Sequence, residues 1–179
     1  TFGGTLAGTP ATTLGATVAR EALSRAGVEG AQIGHVIFGN VINTEPRDMY
    51  LSRVAAMEAG VPDAVPAMNV NRLCGSGVQA IVSAVQSLML GDADFALAGG
   101  AESMSRAPYI QPAARWGQKM GDVASLDMLV GTLNCPFGTG HMGVTAENVA
   151  GEHEITREEQ DAFALLSQER AAAAIKAGY

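Results

Sequence analysis

Apolar residues recur along this chain at two alternating periods, and the alternation predicts its elements. Leu14, Val18, Ala19, Ala22 and Leu23 follow helical spacing; Thr12 or Thr13 precedes them as a cap and Gly27 follows as a stop. His35-Val36-Ile37-Phe38 has the character of a short buried strand, ended by Gly39-Asn40. Leu51, Val54 and Ala55 mark a second helix that stops at Gly60, with Pro62 beyond. Val65–Val70 predicts a second strand whose Pro66 lies near the start, where a missing N–H is tolerated. Val78, Ile81, Val82, Val85, Leu88 and Met89 predict a helix from Gly75 to Leu90, closed by Gly91, and Phe95–Ala98 reads as a third strand.

After Gly99-Gly100 the periodicity fades. Residues 104–140 are rich in Gly, Pro, Met and Arg and include Trp116; so long a stretch without a pattern predicts a functional loop or a subdomain. Order returns at Val144-Thr145-Ala146-Glu147-Asn148. A last helix follows, opened by the capping box Thr156-Arg157-Glu158-Glu159 and closed by Gly178. Strands alternating with helices predict an α/β fold, a mostly parallel sheet with helices on both faces. The expected division is an α/β domain over 1–103 and a loop domain over 104–179.

Composition narrows the function more than the fold. The chain has 179 residues, 47% of them hydrophobic and 16% charged, enough for a sizeable core. Its formal charge of -7, with no basic run, argues against nucleic-acid or membrane-surface partners. No apolar run reaches the length of a membrane span and no secretory signal is apparent; the cysteine content suits a reducing compartment, and the expected location is the cytoplasm. The two cysteines and three histidines form no metal-like spacing, and neither a metal nor a resident cofactor is expected.

The candidate chemistry centres on Cys74. It lies in Asn71-Arg72-Leu73-Cys74-Gly75-Ser76-Gly77, between a predicted strand and a predicted helix. A helix N-terminus favours a thiolate, glycines at 75 and 77 let a substrate carbonyl approach, and the Cys74 amide can help bind an oxyanion. The arrangement follows the logic of a nucleophile elbow. A small buried thiol is the plain alternative. His141 lies in a glycine-flanked turn before a helix and is a second candidate. Glu102, in Gly99-Gly100-Ala101-Glu102-Ser103-Met104-Ser105, follows a strand and can orient its neighbours. His35 reads as a satisfied sheet residue, His153 as a solvated helix residue and Cys135 as a structural thiol. Met104, Met120, Met128 and Met142 suit either an apolar pocket or a core.

Taken in order, the segments 71–77, 99–105 and His141-Met142-Gly143-Val144-Thr145-Ala146-Glu147-Asn148 resemble the thiolase family over essentially the whole chain. The segment Asn43-Thr44-Glu45-Pro46-Arg47-Asp48-Met49-Tyr50 further resembles bacterial β-ketothiolases of biosynthetic type. The resemblance implies an acyltransferase that condenses two acyl-CoA molecules to 3-ketoacyl-CoA and CoA, or the reverse thiolysis, with Cys74 carrying the acyl group as a thioester. It implies that Leu133, His141 and Met142 line the pantetheine and acyl pocket, which casts His141 as a pocket residue and not as the base for Cys74. The partners it implies are acyl-CoA, CoA and further copies of the chain, as a homodimer or homotetramer, with Val65–Asn71 and 104–122 as the expected interfaces.

The chain departs from the family in extent. It resembles the N-terminal half of a thiolase, with the family's first strand expected in the middle of the sheet and missing, so that neighbouring strands should expose backbone donors and acceptors. The histidine that activates the nucleophile and the second, acid–base cysteine have no counterpart here. The expectation is a fragment that is catalytically poor by itself. The alternatives are a noncatalytic CoA-binding or assembly module and, more distantly, a ketoacyl synthase.

Overall fold

The computed structural model describes residues 2–179. Contacts divide the described chain into two units, one running to Gly131 and one from Thr132 to Tyr179. The expected division after residue 103 is not a contact boundary. Ser105 Oγ accepts from the Gly3 N–H at 2.9 Å, and Arg106 donates to the Gly8 carbonyl at 3.1 Å and pairs with Glu45, so the start of the loop region belongs to the first unit.

The first unit is built on helix α1 (Ala11–Ala26), strand β1 (His35–Gly39), helix α2 (Leu51–Glu58), strand β2 (Ala67–Val70), helix α3 (Ser76–Leu90) and strand β3 (Ala96–Gly100). The three strands form one parallel sheet in the order β2-β1-β3. Phe38 lies opposite Asn69 on one side and Gly99 on the other. The ladder is unbroken, with β1 paired along both edges, so the gap expected from a strand lost in mid-sheet is not there. What remains unpaired is the outer edge of β2 and of β3 within this sheet.

Alternation along β1 sorts the core into two layers. Val36 and Phe38 face α1 and α2, packing with Ala11, Ala19, Leu23, Leu51, Ala55 and Leu97; Ile37 faces α3, packing with Ala80 and Ala84. Each fully buried Val, Ile or Phe of this kind contributes about 1.5–3 kcal/mol. This is the α/β architecture that the alternating elements predict.

Two helices turn a different face inward from the one their large apolar residues suggest. In α1 the buried positions are Ala11, Thr12, Gly15, Ala16, Ala19 and Leu23, while Val18 is exposed. Small residues win because the backbones come close: a Cβ at Gly15 would stand 3.3 Å from the Ala55 Cβ. Neither Thr12 nor Thr13 caps the helix. It starts from Pro10, whose φ of -59° already suits a helical entry, and Thr12 is buried with an unpartnered hydroxyl among the described residues. In α3 the inward residues are Ser76, Ala80 and Ala84, and Val78 and Met89 are 68% and 82% exposed.

The stretch Leu73–Leu90 reaches a mean hydropathy of 1.5 over 18 residues, so by length and composition it qualifies as a span, contrary to the sequence expectation. Its helical part has 15 residues, about 22 Å of helix, short of the roughly 30 Å of a bilayer core, and one face of it packs on the sheet.

Beyond β3 the first unit continues through short turns and a small antiparallel ladder of β4 (Tyr109–Ile110) and β5 (Leu126–Asp127). Asp127 closes that ladder chemically. The Tyr109 phenol donates to its carboxylate, which raises the phenol pKa above its ordinary value. Asp127 Oδ1 also accepts from the N–H groups of Leu129 and Val130 at the start of α4 (Met128–Thr132).

The second unit carries β6 (Asn134–Cys135), β7 (Gly140–His141), α5 (Met142–Glu152) and α6 (Arg157–Ala177). The two strands pair antiparallel. The predicted capping box at Thr156 and Glu159 is formed in both directions, and Gly178 closes α6 in the left-handed conformation.

Candidate active site

Parallel strands send their following loops to the same edge of the sheet, which is where ligands bind in open α/β sheets. Three loops leave that edge here: residues 40–44 after β1, 71–75 after β2 and 101–106 after β3. Cys74, Asn40 and Glu102 belong one to each.

Cys74 sits in the turn that joins β2 to α3 and is exposed. Leu73, just before it, has a φ of +48°, a left-handed conformation uncommon for a residue with a Cβ. The turn is held by short-range bonds. Asn71 Oδ1 accepts from the Leu73 N–H at 3.0 Å, the Arg72 carbonyl accepts from Gly75 at 3.0 Å, and the Leu73 carbonyl accepts from the Ser76 N–H at 3.0 Å. The first turn of α3 presses on the centre of the sheet. A Cβ at position 39 would lie 2.8 Å from the Ser76 carbonyl carbon and 2.9 Å from its Cβ, so only glycine fits there.

Gly77 differs from Gly39. A Cβ there meets nothing within 4 Å, so the space above the first turn of α3 is open, as the sequence reading requires for an approaching carbonyl. Gly77→Ala is therefore expected to stabilise the fold by about 0.5–1 kcal/mol through helix propensity. It should also slow acyl transfer if that space receives substrate. Denaturant melts and acylation rates measured side by side check both halves.

Glu102 ties the edge together. Its carboxylate accepts from Asn40 Nδ2 at 3.0 Å and from the N–H groups of Val41 and Ile42 at 2.9 and 3.1 Å. Asn40 is buried, and its amide also reaches the Ala101 carbonyl at 3.0 Å and accepts from Asn43 at 2.7 Å. The sequence reading of Glu102 as a group that orients its neighbours matches this geometry. A second knot was not read from the sequence. Asp48, fully buried, accepts from the Thr44 N–H and hydroxyl at 2.7 Å each, while Arg106 pairs with Glu45. The only signal for it was the likeness of residues 43–50 to bacterial β-ketothiolases.

The other expected site residues lie in the second unit. Leu133, His141 and Met142 are brought together by the β6–β7 pairing, and the Leu133 carbonyl accepts from the Met142 N–H at 2.9 Å. His141 caps α5: its Nδ1 accepts from the Gly143 N–H at 3.0 Å, which leaves Nε2 to carry the proton of the neutral ring. Met142 opens an apolar groove with Thr145, Val149 and Ile155. His35 is not the satisfied sheet residue expected, since its buried Nδ1 has no partner among the described residues. His153 is exposed at the end of α5.

Cys135, read as a plain structural thiol, has a distinct setting. Hydrogen bonds from Thr139 and from the backbone of Phe137, Thr139 and Gly138 lower its pKa below that of an ordinary thiol. Iodoacetamide should accordingly alkylate Cys135 with a pH midpoint below that of a free cysteine. Thr139→Val, which removes the first of those donors, should move the midpoint up, as read by mass spectrometry across a pH series.

The fold is a parallel α/β sheet with an exposed cysteine at its carboxyl edge, and comparison with known proteins places it. All of residues 1–179 match the family described as thiolase, N-terminal domain, and the chain belongs to the thiolase family. It is 64% identical over 179 residues to beta-ketothiolase BktB of Cupriavidus necator, matching 100% of this chain and 45% of that protein. It is 49% identical over 178 residues to an acetyl-CoA acetyltransferase of the same organism, matching 99% of this chain and 45% of that one. Among solved structures, human mitochondrial 3-ketoacyl-CoA thiolase in complex with CoA superposes with a TM-score of 0.95 at 42% identity, covering 99% of this chain and 45% of that chain. The acetyl-CoA acetyltransferase of Bacillus anthracis superposes at 0.94 with 41% identity, covering 100% and 45%. The chain thus spans less than half the length of the relatives it matches.

Proposed function

We propose that these residues form the acyl-accepting part of a thiolase that acts on acyl-CoA thioesters, with Cys74 as the nucleophile. The observation that carries the reading is the exposed thiol on a left-handed turn, at the carboxyl edge of a parallel sheet and directly before α3. The Cys74 thiolate attacks the thioester carbonyl of an acyl-CoA. The carbon–sulfur bond to CoA breaks, CoA leaves as its thiolate, and the enzyme holds the acyl group as a new thioester. A second acetyl-CoA, stripped of an α-proton, then attacks that thioester, giving 3-ketoacyl-CoA and restoring the Cys74 thiolate; thiolysis is the reverse. Leu133, His141 and Met142 are proposed to line the pantetheine and acyl path. Their clustering, and the apolar groove that Met142 opens, support that role.

The groups that deprotonate Cys74 and the second substrate are assigned to the part of the relatives that these residues do not match. No cofactor beyond the CoA thioesters is proposed. A homodimer or homotetramer in the cytoplasm is proposed as the working form. The open outer edge of β2 and the exposed Tyr109, Trp116 and Met120 support Val65–Asn71 and 104–122 as its interfaces.

The test is to incubate a complete subunit carrying these residues with isotopically labelled acetyl-CoA, quench in acid, digest and map the label by mass spectrometry. Label on Cys74 is expected. Label elsewhere, with Cys74 free, overturns the assignment.

A further inference from the structure

We propose that Ser76 is a positioning residue for Cys74, its buried hydroxyl locking the left-handed turn that presents the thiol. Ser76 is 5% exposed, yet its side chain reaches back across the turn. Its Oγ accepts from the Arg72 N–H at 2.9 Å and donates to the Leu73 carbonyl at 2.6 Å. One hydroxyl therefore holds the peptide group before Arg72 and the one after Leu73, and so brackets the residue at φ +48°. A leucine does not hold that conformation by preference, and the Leu73 side chain, 56% exposed, makes no buried packing that would impose it.

The hydroxyl is in turn anchored. Ser76 packs on Gly39 of the central strand so tightly that no side chain fits at position 39. The sheet thus sets Ser76, Ser76 sets Leu73, and Leu73 sets the direction in which Cys74 leaves the turn. The chain of contacts predicts a specific division of labour. Alkylation by a small reagent needs only an accessible thiolate, whereas acyl transfer needs the sulfur aimed at a carbonyl held by its neighbours.

The inference rests on the reading of Cys74 as acyl carrier, and the test separates the two. In a complete subunit carrying these residues, the rate of acyl-Cys74 formation from acetyl-CoA is compared with the rate of alkylation of Cys74 and Cys135 by iodoacetamide. Ser76→Ala is expected to slow acylation about tenfold to a hundredfold. Alkylation of Cys74 should stay within about threefold of the parent. Leu73→Asn, added to Ser76→Ala, should recover much of the acylation, because asparagine adopts the left-handed region more readily. Leu73→Val, which keeps Ser76 but resists that region, should reproduce the loss. Acylation at the parental rate in Ser76→Ala or in Leu73→Val overturns the proposal. So does faster alkylation of both cysteines together in Ser76→Ala, which marks general loosening. A parent that takes no acyl group at Cys74 while its thiol alkylates normally removes the acyl-carrier reading, and this inference with it.

Discussion

Cys74→Ala is expected to abolish acyl-enzyme formation and to lower turnover of acetoacetyl-CoA by a complete subunit carrying these residues at least about 10⁴-fold, the scale seen when a covalent nucleophile is removed. The fold should hardly notice. Cys74 is exposed, so the substitution removes no core contact, and stability should stay within about 0.5 kcal/mol of the parent. Cys74→Ser keeps the shape of the turn but offers a hydroxyl in place of a thiol. It should be almost as inactive, since a hydroxyl is a far weaker nucleophile than a thiolate. Cys135→Ala is the matched control. Its thiol lies in the second unit, in a turn that lowers its pKa, yet the acyl-carrier reading gives it no part in the chemistry. Full acylation in Cys135→Ala together with none in Cys74→Ala is the expected pair, read by mass spectrometry of the intact chain. An acylated Cys74→Ala protein would mean that the reacting group is another residue.

The sequence carried the order of elements because each is bounded by residues that act locally. Gly27, Gly91 and Gly178 all stand in the left-handed conformation that ends a helix, and the Thr156–Glu159 box closes on itself without help from the rest of the fold. The elbow was legible for the same reason, as a strand pattern, a short turn and a helix pattern meeting at one cysteine. The inward faces were harder to read. In α1 and α3 the large apolar residues stand out in the pattern, but the buried positions include Gly15, Ala16, Ala80 and Ala84, and at Gly15 a Cβ would already stand 3.3 Å from the Ala55 Cβ. A periodicity reading weights size, whereas close packing rewards its absence. The supporting groups were the least visible. Nothing in the sequence says that the Ser76 hydroxyl turns back to Arg72 and Leu73, or that Asp48 is fully buried around the Thr44 turn, because those bonds exist only once the loops are folded.

Gly39→Val should show how tightly the sheet and the thiol are linked. Position 39 ends the central strand, where β1 pairs with β2 and β3 on either side, so its backbone cannot shift without breaking two ladders. A Cβ alone would stand 2.8 Å from the Ser76 carbonyl carbon and 2.9 Å from its oxygen, backbone atoms of the first turn of α3, and valine adds two methyl groups beyond that. Either the helix start is pushed off the sheet or the strand end is displaced. Overpacking of this kind should cost about 3 kcal/mol. The cost should be concentrated at one end of α3, because Ala80 and Ala84 farther along the helix keep their contacts with Ile37. Acylation of Cys74 should therefore fall more steeply than the fraction of folded chain. That excess loss, measured by acylation rates corrected with denaturant melts, distinguishes a displaced elbow from a merely weakened domain. If acylation falls only in proportion to the unfolded fraction, the depth of α3 on the sheet does not govern the thiol. If it falls well beyond that, the glycine at 39 serves the chemistry at Cys74 through Ser76, which packs on Gly39 and bonds to Arg72 and Leu73.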